Sequence, residues 1–180
     1  MKKTMKSLKL YINEALHVNR NTKIQTYKYY PKDRTELKEL IKKLIEERGY
    51  NANLNDIDTS EITDMRNMFA YSKFNGDISG WDTSNVENMS GTFAYSKFNG
   101  DISKWDVSKV ENMKHMFGGS KFNGDISKWD VSNVENMEYM FYYSMFKGDI
   151  SNWDVSSVKK MICMFDESPL KRNPPKWYKK

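Results

Sequence analysis

Trp81, Trp105, Trp129 and Trp153 are each 24 residues apart, and the same step separates Phe74, Phe98, Phe122 and Phe146. Ile78, Ile102, Ile126 and Ile150 keep it too, as do Met89, Met113, Met137 and Met161. A period of this size marks a repeat architecture of the solenoid kind. One unit, "FNGDISKWDVSNVENMEYMF" at residues 122–141, is too short to enclose its own apolar side chains. Each unit must therefore close its apolar face against the next. Four full copies run over residues 74–169, a half copy at 57–73 leads in, and a degenerate half copy at 170–177 leads out.

Within one copy, Trp129 and Val131 are two residues apart and share one face of a strand, with Lys128 and Asp130 on the other. Ser132 followed by Glu135 reads as a capping box at a helix start. Val134, Met137 and Phe141 then follow at helical spacing. The glycine of "SKFNGD" suggests a turn of positive φ. The expected fold class is an α/β repeat solenoid, a leucine-rich-repeat-like stack of short parallel strands and short helical turns with an α/β N-terminal cap.

Four segments follow: an N-terminal amphipathic segment at 1–19, an N-terminal cap at 20–54, the repeats at 55–169 and a C-terminal capping half repeat at 170–180. Within the cap, "KIQTYKYYP" alternates like a strand. Residues 33–49 read as a helix, with Asp33 and Glu36 at its start, Leu37, Leu40, Ile41, Leu44 and Ile45 on one face, and Gly49 at its end. Trp177 falls where the next repeat tryptophan belongs, and Pro174 and Pro175 oppose further pairing.

The run "ISxWDVSxVxNMxxMF" resembles the repeat of BspA-like leucine-rich-repeat proteins, in particular the mycoplasma-type subgroup in which Trp, Val, Met and Phe replace leucines. The resemblance covers about residues 55–178. It implies a right-handed leucine-rich-repeat solenoid and, because family members are mostly bacterial surface proteins that adhere to other proteins, a protein partner. It implies no shared catalytic residues.

Charge divides along the chain. Residues 1–50 hold 13 Lys and Arg against 6 Asp and Glu, residues 51–165 hold 11 against 16, and residues 166–180 hold 5 against 2. A nucleic-acid binder shows one basic face along its length, so nucleic acid is not the expected partner. No run reaches the roughly 18 apolar residues of a membrane span, and "MKKTMKSLKLYINEAL" lacks the apolar stretch of a secretory signal. The expected location is cytoplasmic, with virion association as the alternative. Cys163 is the one cysteine, so no internal disulfide forms.

No catalytic set is expected. His17 and His115 have no Cys or second His at ligand spacing, and no glycine-rich phosphate loop follows a strand. Neither a metal nor a cofactor is expected. Asp82, Asp106, Asp130 and Asp154 are expected to form an acidic ladder on the exposed sheet face, with Lys104 and Lys128 beside Asp106 and Asp130. Asp77, Asp101, Asp125 and Asp149 read as turn formers.

Differences between copies collect after the methionine of the column Met89, Met113, Met137 and Met161 and just past the following phenylalanine, on what reads as the outer side of the helix and its exit loop. Tyrosine variation on a constant frame resembles the composition of binding surfaces. Tyr95, His115, Tyr139, Tyr142 and Tyr143 are therefore the expected partner-binding residues of a non-enzymatic protein-binding module. A second reading rests on "YINEAL": Ile12-Asn13-Glu14-Ala15 resembles the cleavable leader of proteins packaged in tailed-phage heads.

Overall fold

The computed structural model describes residues 26–178. The expected helix forms as α1, Arg34–Arg48. The Asp33 carboxylate accepts the N–H groups of Thr35 and Glu36 at 2.7 and 2.9 Å, and Glu36 reaches back to the N–H of Lys32 at 3.0 Å. These bonds satisfy donors that a helix start leaves free. Gly49 ends the helix at φ 86°. Leu37, Ile41 and Leu44 are buried on the face turned to the repeats. At the far end Arg48 holds both oxygens of Asp56 at 3.0 and 3.1 Å.

From there the chain winds in coils of 24 residues, each seated on the last. The Trp, Phe and Ile columns found in the sequence are buried, as are Met89, Met113 and Met137, with Met161 partly exposed. Phe69, Phe93, Phe117, Phe141 and Phe165 stack at 5.6 to 5.9 Å between ring centres. A second column, Phe74 to Phe146, leans against it at 4.3 to 4.9 Å. Trp129 is buried, and its indole N–H donates to the carbonyl of Ile102 in the preceding coil at 3.1 Å. Trp81, Trp105, Trp153 and Trp177 make the same bond 27 residues back. Trp177 thus stands where a fifth repeat tryptophan should, stacked on Trp153.

The coils are not built from strands and helices. Among the described residues α1 is the one α-helix, a three-residue 3-10 turn at Pro169–Lys171 is the one other helical element, and no strand forms. Parallel pairing is confined to single-residue bridges: Asp64, Asn88, Asn112, Asn136 and Lys160 in one column, with Asn53–Asp77 and Tyr29–Ile57 at the start of the stack. The expected α/β repeat solenoid with a parallel sheet is therefore overturned.

The physical reason lies in where the backbone N–H groups go. Around Trp129 they close local turns, Trp129 to Ile126 and Val134 to Val131. On that side the coils are joined by side-chain donors instead, the tryptophan indoles and the amide of Asn133 on the carbonyl of Ser108. The expected capping box does not form either: the Ser132 hydroxyl donates to Asp130 at 2.6 Å, and the N–H of Glu135 donates to the carbonyl of Glu111 one coil away.

The spacing read as a helix at Val134, Met137 and Phe141 is a run of overlapping turns. Met140 bonds back to Met137, Tyr142 to Tyr139, and Ser144 to Phe141, each three residues apart. The alternate N–H groups of Met137, Tyr139, Phe141 and Tyr143 run to the next coil. Met137, Met140, Phe141 and Ser144 are buried because each turn brings the chain inward again after three or four residues. That is the helical spacing without the helix.

Candidate functional site

The positions that vary between copies include the corners of these turns. One column runs Asn67, Gly91, His115, Tyr139 and Cys163, and a second runs Tyr71, Tyr95, Gly119, Tyr143 and Glu167. All ten residues have positive φ, between 52° and 64°, and eight of them are not glycine. A left-handed backbone costs a residue with a Cβ about 1 to 2 kcal/mol. The same two corners adopt it in every coil, and in the complete rungs alternate N–H groups run along the stack axis. They are not the outer side of a helix.

The structure brings the five expected binding residues together and adds a sixth. Tyr71 stacks on Tyr95 at 5.1 Å, and Tyr95 meets His115 at 6.3 Å. His115 stacks on Tyr139 at 5.2 Å and meets Tyr142 edge-on at 6.2 Å. Tyr142 in turn touches Tyr139 at 5.7 Å and Tyr143 at 5.9 Å. The result is an unbroken aromatic strip along the stack. Tyr71, Tyr95 and Tyr143 are 77%, 45% and 63% exposed, whereas His115, Tyr139 and Tyr142 are half-buried between coils.

Gly118 and Gly119 make room for this strip. A Cβ on Gly119 would enter the ring of Tyr95, and one on Gly118 the ring of His115. Lys114 lies 6.0 Å over the Tyr139 ring and pairs with Glu138 at 3.0 Å. Burial, with Lys114 adding repulsion, holds the His115 imidazole below its ordinary 6.5. Tyr71 extends the strip into the lead-in half copy.

Asp82, Asp106, Asp130 and Asp154 are exposed, but on a row of turns and not on a sheet. Each accepts the N–H of the serine two residues on, Ser84, Ser108, Ser132 and Ser156, at 3.0 to 3.1 Å. Asp77, Asp101, Asp125 and Asp149 do the same with Ser79, Ser103, Ser127 and Ser151, so they are turn formers as expected. No ion pair joins Lys104 or Lys128 to Asp106 or Asp130 among the described residues. Lys104 and Lys128 instead favour ionisation of Asp101 and Asp125. The described residues contain no group of three or more His, Cys, Asp or Glu placed to hold a metal ion.

These turns predict an acid-labile fold. Hydrogen bonds from the serine hydroxyl and N–H hold the Asp106 carboxyl below its ordinary 3.8. Bonds led by the serine N–H do so for Asp77, Asp101, Asp125, Asp149 and Asp154. The unfolded chain then takes up protons first, so this stabilisation is complete above 3.8 and is lost as pH falls through the lower folded values. Urea midpoints measured from roughly pH 5 to pH 2 should fall steadily; a flat profile would show that the turns do not hold the carboxylates.

Residues 35–144 and 117–177 match a sequence family described as "Mycoplasma protein of unknown function, DUF285". The chain belongs to this family. The matched segments take in α1 from its second residue and the coils up to Trp177. No curated protein matches the chain, and no solved structure matches it. Among the described residues no helix is long and apolar enough to cross a membrane. The amphipathic segment at 1–19, His17 and the "YINEAL" stretch lie outside the described residues.

Proposed function

We propose that this chain is a non-enzymatic protein-binding repeat module and that the aromatic strip from Tyr71 to Tyr143 is its recognition surface. The observation that carries this reading is the strip itself. Its rings are packed against one another, and their identity changes from coil to coil while the core columns stay the same. Rings already held in place lose little freedom on binding, and tyrosine supplies contact area on two torsions. The likeness of the repeat to BspA-like adhesive proteins supports a protein as the partner.

The competing surface is the acidic row from Asp82 to Asp154. Its carboxylates are the same in every coil and already engaged by serines, so it offers charge and little address. Specific recognition concentrates in a distinct, usually aromatic cluster. Capture of partners from the native host should be compared for the wild type, for Tyr139→Asn with Tyr142→Ser and Tyr143→Asn, and for Asp106→Asn with Asp130→Asn. Asn tolerates the left-handed corners, which keeps the first variant folded. Partners captured by the wild type should be lost with the tyrosines and kept with the aspartates. Exposed charges are screened beyond about 8 Å at physiological ionic strength. Capture that survives the tyrosine changes, yet fails with the aspartate changes or with added salt, would move the site to the acidic row.

A further inference from the structure

The turn corners form a row of backbone donors, and four times over that row is filled by peptide carbonyls. In the last complete rung, Met137, Tyr139, Phe141 and Tyr143 donate to Lys160, Ile162, Met164 and Asp166 at 2.7 to 3.0 Å. The same positions one coil on are Met161, Cys163, Phe165 and Glu167, and no acceptor among the described residues meets their N–H groups. The core side of this end is covered: Tyr178 lies edge-on to Phe165 at 4.8 Å, and Trp177 stacks on Trp153. The corner side is open among the described residues. Met161 and Cys163 are half-exposed, and Ile162 is 60% exposed. A groove of about 510 Å³ runs beside them, bounded by Glu138, Lys159, Lys160, Ile162 and Tyr178.

We propose that this end of the stack docks a polypeptide segment of another protein, whose alternate carbonyls accept the N–H groups of Met161 and Cys163 and extend the column by one rung. The occupant is read from the four rungs below, where peptide backbone fills the row each time. An open row of this kind is a template for added backbone. A second copy of this chain fits poorly. The other end of the stack is closed by α1, with the Arg34 side chain already on the carbonyl of Arg66 at 2.8 Å. This site goes beyond the aromatic strip and does not depend on it.

The test is amide hydrogen exchange followed by NMR on the full chain, with and without a synthetic peptide VKKMICMFDES. That peptide copies residues 158–168, which fill the row for the coil below. Free, the amides of Met161 and Cys163 should exchange at least about tenfold faster than those of Met137 and Tyr139. Saturating peptide should slow them about tenfold or more. Ile162→Asp, at an exposed position, should abolish that protection with the melting temperature unchanged. Tyr139→Asn with Tyr143→Asn should leave it intact, which separates failure of this site from failure of the strip. The proposal is overturned if both amides are already slow in the free chain, if the peptide leaves them fast, or if protection persists in Ile162→Asp. Protection that rises with protein concentration alone would assign the edge to a second copy and overturn it as well.

Discussion

Trp129→Ala should lower the stability of the whole stack by about 3 to 5 kcal/mol. For a chain of this size that corresponds to a fall of roughly 6 to 20 °C in melting temperature. The side chain is 4% exposed, so the change opens a cavity that rigid coils on both sides cannot fill. It also leaves the carbonyl of Ile102 without its indole donor, an added cost for a buried polar group. On this side backbone N–H groups close local turns, so the tryptophan is a principal tie between coils. Trp129 belongs to an internal coil, and the loss should weaken the contacts above and below it together. Calorimetry and tryptophan-independent circular dichroism should show one transition, displaced downward. A melting temperature within a degree or two of wild type would refute the assignment of the tryptophan column as the core tie.

How much of this could be read from the sequence differs by element. The period identified the Phe74, Ile78, Trp81 and Met89 columns, because a stacked coil buries the same positions in each copy. Helix α1 was legible because its signals are local: a carboxylate at Asp33, a glycine at Gly49 and an apolar stripe between them. The interior of the coil was not. Val134, Met137 and Phe141 return to the core at helical intervals, and Trp129 and Val131 alternate as in a strand. Burial period reports where side chains point, whereas helix and strand are defined by where backbone N–H groups point. Here they point into local turns or along the stack, a distinction that no apolar pattern carries.

The aromatic strip was legible by a different route. Variation between copies singled out Tyr95, His115, Tyr139, Tyr142 and Tyr143 as free positions, and the structure joins them in one line. What the pattern could not show is that all of these but Tyr142 are left-handed corners. Left-handed residues are usually announced by glycine or asparagine, yet here Tyr71, Tyr95 and Tyr143 occupy the same corner as Gly119. The glycine at that corner is explained by the neighbouring Tyr95 ring in addition to its own φ. Likewise the aspartates were legible as a repeated column, but their serine partners, only two residues away, were assigned to a helix cap.

Gly100 separates these two uses of glycine most sharply. The expectation from "FNGD" is a positive φ, which would make asparagine a tolerable replacement. The glycines of this loop, Gly76, Gly100, Gly124 and Gly148, are not among the positive-φ residues. A Cβ on Gly100 would instead stand 2.9 Å from the ring of Phe98 and 3.1 Å from the carbonyl of Gly76 in the preceding coil. The ring is fully buried, and the carbonyl belongs to a backbone fixed by the stack, so neither can retreat cheaply. Overpacking of this kind costs about 1 to 3 kcal/mol. Gly100→Ala and Gly100→Asn should therefore both lower the urea midpoint, with Asn no better than Ala. Near-wild-type stability for Asn beside a large loss for Ala would restore the conformational explanation and remove the steric one.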